Sequence, residues 1–366
     1  ALQMLSYVKK FDWVLFGSGA ILSAFGLAAI YSTSLGTQGV GGDFVNFWKQ
    51  AVFVAVGIFL ALAIPAFNYR QLAGLSRLLY VVAIALLVAV LLFGQTIRGA
   101  RSWFGFGGFG VQPVEIVKII LIVYLAKFFS DYARHPGGLK QIVGSGSSLA
   151  GVLLLVLLQP DFGSAFLLLA MWGSLLLISG IRRSHLMLIA LLFVATALLS
   201  WAFLLKPYQK DRISVFWDPA SDPSGKGYNV TQSIIAIGSG GLMGKGLGFG
   251  SQSQLRFLPE RQTDFIFAVL AEELGFFGVL FITGLFGVFF YRGYRLAVRS
   301  RDDFTMFLVL GLTVSIAVEV FVNIGGNLRL LPVTGVTLPF VSYGGSSILA
   351  KYAMIGILES VAVRRS

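Results

Sequence analysis

Apolar residues run in long blocks along the whole chain, separated by short polar connections. Ten blocks predict membrane-crossing helices, at about 11–33, 48–66, 75–94, 112–130, 141–158, 163–180, 184–205, 264–291, 304–325 and 344–363. Each is near the roughly 20 residues that a helix needs to span a bilayer. Two of them, 141–158 and 163–180, are closely coupled through the turn QPDFG. The pattern changes only at 206–263, where charged KPYQKDRISVFWDPASDPSGKGYNV precedes the glycine-dense IAIGSGGLMGKGLGFGSQSQ. The expectation is an all-α polytopic integral membrane protein: a single transmembrane domain over 1–366, with 206–263 a long loop within it.

Composition sharpens this. With 57% hydrophobic and 12% charged residues, no sizeable soluble domain fits. The net charge of +12 therefore does not point to nucleic acid, because most of the charge lies in loops beside spans, where it sets orientation and meets anionic lipid. A cytoplasmic N-terminus puts fourteen Lys and Arg in inner loops and tails against four in the short outer loops. That asymmetry predicts N-in and C-in, with 206–263 extracytoplasmic. The chain has no cysteine, so neither disulfides nor thiolate metal sites are available. The N-terminus has no cleavable signal pattern, and the first span is long enough to stay in the membrane.

Candidate chemistry concentrates in FLPERQTDFIFAVLAEELGFFG, residues 257–278. Read as a continuous helix, it puts Asp264, Ala268, Ala271, Glu272 and Gly275 on one small, polar face. Asp264 sits at the water boundary beside Glu260 and Arg261, where burial is not forced on it; this is the functional candidate. Glu272 and Glu273 fall inside the span, where an ionised carboxylate needs a partner or a proton. They read as structural or cavity acids.

Two further clusters qualify. RGARSWFGFGGFGVQPVEIVKI, residues 98–119, offers Arg98 and Arg101 outside the membrane beside Trp103 and a flexible Gly/Phe stretch. Inside the fourth span, Glu115 and Lys118 are spaced to pair on one face, or Lys118 reaches a phosphate or an acid on the eighth span. NLRLLPVTGVTLPFVSYGGSS, residues 327–347, holds prolines and glycines that forbid a regular helix through 332–345. Ser342, Tyr343 and Gly344 there open the tenth span, and backbone N–H groups at a helix start favour anions; a plain re-entrant turn is the alternative. GSGGLMGKG is not a P-loop, which needs glycine at Ser239 and Ser or Thr at Gly246. His135 and His185 read as solvated side chains, and Asp161 as a helix start.

QPVEIVK, QPDFGSA, YNVTQSIIAIGSGGLMGKG, FLPERQTDFIFAVLAEELG and LPFVSYGGSS occur in this order. Together they resemble the shape, elongation, division and sporulation (SEDS) family, which includes RodA, FtsW and SpoVE. The region from KPYQKDRI to AEELG is most similar to the elongation branch of RodA. The resemblance covers essentially the whole chain. Departures are Arg329, where relatives tend to have glycine, and Thr337, where proline is usual. The resemblance implies a peptidoglycan glycosyltransferase that polymerises lipid II on the outer face of the bacterial cytoplasmic membrane. It also implies a class B penicillin-binding protein as crosslinking partner, and places the family's essential aspartate on Asp264.

Glycan polymerisation needs a base within reach of the attacking 4-hydroxyl and cationic or N–H donors for the leaving diphosphate. Asp264 suits the base. Arg98, Arg101, Lys118, Arg212 and Lys245 are candidate diphosphate partners, and a divalent cation such as Mg or Mn could share that work; no nucleotide is called for. The rival class is a lipid II flippase, kept open by the intramembrane Glu115, Lys118, Glu272, Glu273, Glu319 and Lys351.

Overall fold

The computed structural model describes residues 9–35, 44–97, 99–106, 109–133, 138–182, 184, 185, 187, 216, 217 and 225–365. The apolar blocks fold into helices α1 (Trp13–Leu35), α2 (Val45–Ala63), α3 (Gln71–Phe93), α4 (Pro113–Tyr132), α5 (Leu139–Leu158) and α6 (Phe162–Ile178). After these come α7 (Lys226–Ser239), α8 (Ile266–Val298), α9 (Asp303–Asn327) and α10 (Gly345–Val363). Seven of the described helices are long and apolar enough to cross a membrane. The block predicted at 184–205 lies almost wholly outside the described residues, as do Arg98, His135 and Arg212.

Local chemistry explains the ends. Pro113 opens α4 at a position where its missing N–H is not needed. Asp161 and Asp302 cap α6 and α9, accepting from the backbone N–H of Ser164 and Thr305. Within the bundle α10 packs on α2, α4 on both α3 and α9, and α8 on both α1 and α9. Glycines allow the closest approaches: a Cβ at Gly26 of α1 would stand 2.3 Å from the carbonyl of Val341. The outside of the bundle exposes large apolar side chains such as Phe59, Val81, Phe281 and Phe321, a surface suited to lipid.

Two expectations are corrected. The chain is not purely α. Between 95 and 111 the described residues form three antiparallel strands, β1 (Gln95–Ile97), β2 (Ala100–Phe106) and β3 (Phe109–Val111), in place of a flexible stretch. Gln95 pairs with Trp103 and Phe104 with Val111; aromatic side chains suit a pleated surface, and their ladder outweighs the glycines. The eighth span is also not continuous. Gly275 takes φ 67° and ψ −167°, which breaks α8 into a short N-terminal half-helix and a longer C-terminal part. Asp264 stands two residues before the helix begins.

Candidate functional site at the helix break

The break is filled by the glycine-rich loop that follows α7. The N–H groups of Lys245 and Gly246 donate to the carbonyls of Glu272 and Glu273, at 3.0 and 2.9 Å. On the other side of the break, Phe276 and Phe277 donate their N–H groups to Gly241 and Leu242. A Cβ at Gly275 would fall 2.2 Å from the Gly244 nitrogen, so only glycine fits. The loop thus satisfies backbone groups that an uninterrupted helix would have paired internally.

Glu272 is fully buried and completely engaged. Its Oε1 lies 2.9 Å from Lys245 Nζ and accepts from the Gln252 N–H, while Oε2 accepts from the Ser253 N–H. Glu273 accepts from the Ser32 hydroxyl on α1. Glu272 therefore stitches the N-terminal half-helix to the loop and Glu273 ties it to α1, and Lys245 is committed to Glu272.

Asp264 sits at the mouth, half-buried. The turn before it is fixed from three sides. Ser342 donates its hydroxyl to the Thr263 carbonyl at 2.6 Å, and the Tyr343 N–H donates to Gln262 at 2.7 Å. The Asp264 carbonyl accepts from Asn323 Nδ2 and Asn327 Nδ2, at 3.0 and 2.9 Å. Asn46 and Thr33 bind the Gln262 side chain from α2 and α1. Arg261 donates to the carbonyls of Ser253 and Thr33, and its burial lowers the guanidinium pKa from the ordinary range. This scaffold leaves the Asp264 side chain directed at Gly335 of the non-helical segment between α9 and α10, where a Cβ would lie 3.7 Å from Oδ2.

That segment approaches α6 as well: a Cβ at Gly163 would lie 2.6 Å from the Thr334 carbonyl. Asp161, at the start of α6, accepts from Gln112 Nε2 at 3.1 Å and from the Ser164 hydroxyl at 2.7 Å. The non-helical segment thus meets Gly163 of α6 at Thr334 and Asp264 at Gly335. The N–H groups of Tyr343 and Gly344 are taken by the Gln262 carbonyl and by Gln50 Oε1.

Below this mouth, four charges from three helices close a ring. Lys118 lies 2.8 Å from Glu115 and 2.6 Å from Glu319. Lys351 lies 3.0 Å from Glu115 and 2.8 Å from Glu319. All four are buried, Lys351 completely. Two cations alternate with two anions, so the ring is neutral and each charge has two opposite neighbours. Lys118 is occupied inside this ring, and Arg101 is occupied on β2, donating to the carbonyls of Gly94 and Leu92 at the end of α3.

Sequence reasoning named Asp264, Glu115, Lys118, Glu319, Lys351, Ser342 and Tyr343, but not the two asparagines that hold the Asp264 carbonyl. Asn323 and Asn327, four apart on one face of α9, were the available signal. Gly335 carried none beyond its glycine. Among the described residues no group of three or more His, Asp or Glu side chains is placed to hold a metal ion.

A helical membrane bundle with the Asp264 turn held at one end of its helices, and a neutral buried ring of charges among them, defines the class of this protein. The chain belongs to the cell cycle protein family of FtsW, RodA and SpoVE, whose model matches residues 12–366. It is 39% identical to the peptidoglycan glycosyltransferase MrdB of Escherichia coli K12, covering 92% of this chain and 90% of that one. Among solved structures it is similar to a chain from "Structural coordination of polymerization and crosslinking by a peptidoglycan synthase complex", with TM-score 0.80, 32% identity and coverage of 97% and 98%. The crystal structure of the Thermus thermophilus rod shape determining protein RodA matches with TM-score 0.72 and 30% identity, covering 97% of each chain.

Proposed function

We infer that this chain is a peptidoglycan glycosyltransferase that polymerises lipid II at the outer face of the cytoplasmic membrane, with Asp264 as general base. The observation that carries the reading is the position of Asp264: a half-buried carboxylate whose backbone carbonyl is held by Asn323 and Asn327 and whose side chain faces Gly335 of the non-helical segment before α10. Whole-chain similarity to a peptidoglycan glycosyltransferase supports it.

The reaction joins the 4-hydroxyl of one sugar to the anomeric carbon of another. Asp264 takes the hydroxyl proton as the new C–O bond forms, and the bond from the anomeric carbon to the lipid diphosphate breaks with its electron pair leaving on the diphosphate. The rigid turn from Gln262 to Asp264 keeps the base oriented without reorganisation at the moment of reaction. A divalent cation, which binds through one or two carboxylates and substrate phosphates, suits the hard oxygens of Asp264 and Glu260 and would offset charge on the leaving group.

This reading carries an orientation: ten spans with N-in and C-in, the mouth facing outward, and lipid II entering from the outer leaflet. It also carries a partner, a class B penicillin-binding protein, supported by similarity to a synthase complex that coordinates polymerisation and crosslinking. Transport without bond formation is disfavoured by the ring, since Glu115, Lys118, Glu319 and Lys351 neutralise one another and leave no mobile charge there.

The test is direct. Purified protein is incubated with lipid II in detergent, alone and with its crosslinking partner, and glycan strands are sought. Polymer from the wild type and none from Asp264→Asn supports the reading. No polymer from either, with lipid II translocated in vesicles, replaces it with the flippase.

A further inference from the structure

The arginines at the C-terminal end of α8 are not equivalent. Arg292 is taken: Nη2 lies 2.6 Å from Asp12 Oδ2, and Nε donates to both carboxylate oxygens. Arg364 is taken as well, donating to the carbonyls of Pro65 and Ala66 at 2.8 and 3.1 Å. Asp12 is itself fixed, for its N–H donates to Glu359 Oε2 at 2.8 Å and its carboxylate accepts from the Leu15 N–H. Glu359 is fully buried beneath it. One ion pair and one buried acid thus join the start of α1 to the ends of α8 and α10.

Around this joint stand Arg295, Arg299 and Arg365, which have no carboxylate partner among the described residues. Arg292, Arg295 and Arg299 fall at i, i+3 and i+7, on one face of α8. Arg295 lies over the Tyr291 ring, 5.7 Å from its centroid. Arg365 follows the end of α10; burial first, and then the neighbouring guanidinium groups of Arg299, Arg295 and Arg292, lower its pKa from the ordinary range, with Asp12 opposing. The acids that follow α8 in sequence are Asp302, engaged as the cap of α9, and Asp303 in its first turn. Three like charges held together call for an anion.

The surroundings say which kind. Trp13, Tyr291, Tyr294 and Val298 are exposed beside the cluster, at 52%, 57%, 58% and 61%. Aromatic residues of this sort sit at the headgroup level of a bilayer. An anion recognised here must carry apolar chains alongside its charge. We propose that Arg295, Arg299 and Arg365 form a binding site for the phosphate of an anionic phospholipid. It lies at the C-terminal end of α8, the opposite end of that helix from Asp264. The site is independent of the polymerase reading.

The experiment uses the full chain in neutral detergent and follows thermal unfolding during titration with dioctanoyl-phosphatidylglycerol, dioctanoyl-phosphatidylcholine, inorganic phosphate or polyglutamate. The site variant is Arg295→Gln/Arg299→Gln/Arg365→Gln. A control, Arg77→Gln/Lys140→Gln/Arg182→Gln, removes the same charge from other exposed positions. Phosphatidylglycerol is expected to raise Tm in wild type and control, with an apparent Kd weakened roughly tenfold or more in the site variant. Equal weakening in both variants would mean diffuse charge and overturn the site. An equal response to phosphatidylcholine or phosphate overturns recognition of an anionic lipid, and an equal response to polyglutamate replaces the lipid with an acidic protein.

Discussion

Gly335 stands against Asp264: a Cβ added to the glycine would lie 3.7 Å from Oδ2, and the glycine holds φ at +79°. Backbone, and not a side chain, therefore forms the wall facing the proposed base. Gly335→Ala would introduce a left-handed alanine, costing about 1 kcal/mol, and a methyl group where substrate must approach. The expected outcome is a fall in polymer formation of about tenfold or more with a Tm within a few degrees of wild type, read by glycan assay and thermal unfolding on one preparation.

Lys351 supports two acids at once. Lys351→Met leaves Glu115 and Glu319 sharing only Lys118, and breaking a buried pair in this way costs about 3–5 kcal/mol. Adding Glu319→Gln restores neutrality to the three remaining groups. The double variant is expected to unfold at a higher temperature than Lys351→Met alone. Additive losses would show that the ring is not a single electrostatic unit.

At the helix break the expected effect is steric. Gly275→Ala places a methyl 2.2 Å from the Gly244 nitrogen at a φ and ψ that only glycine adopts readily. The loop from Gly240 to Gly246 is then displaced, which lowers Tm and opens 240–246 to protease. Gly287→Ala, on the same helix with open space around it, serves as the control and leaves both unchanged.

Arg329 explains one departure from the family pattern. Its φ is +58°, in the left-handed region that glycine occupies without strain. Arg329→Gly relieves about 1 kcal/mol of backbone strain and gives up one exposed hydrogen bond to the Trp217 carbonyl. Thermal unfolding should show a Tm equal to or slightly above wild type; a clear fall would mean that the guanidinium contact outweighs the strain.

How much of this was legible beforehand depends on the kind of information. Apolar blocks located α1 to α6, α9 and α10 to within about four residues, because length and hydropathy decide a spanning helix, while α8 runs seven residues past its expected end at 291. Prolines and glycines likewise predicted the irregular segment before α10. The strands between 95 and 111 were missed because glycine and phenylalanine in alternation also suit a loose loop, and only strand pairing decides between them. The break at Gly275 was missed because a single glycine is tolerated in a helix; what forces the break is a loop thirty residues earlier in sequence. Partners for Glu272 and Glu319 followed the same rule: their need for a counter-charge was evident, while the identities Lys245 and Lys351 required the fold.

The ring also constrains how the chain enters the membrane. Glu115 and Lys118 are a self-sufficient pair on α4, so that helix can partition as a neutral rod before the later helices exist. Glu319 has no such companion on α9; its nearest remedy, Lys351, arrives 32 residues later on α10. Lys118 on α4 is already in place when Glu319 arrives, so three members of the ring can meet first, and the fourth closes it only once α10 has entered the membrane.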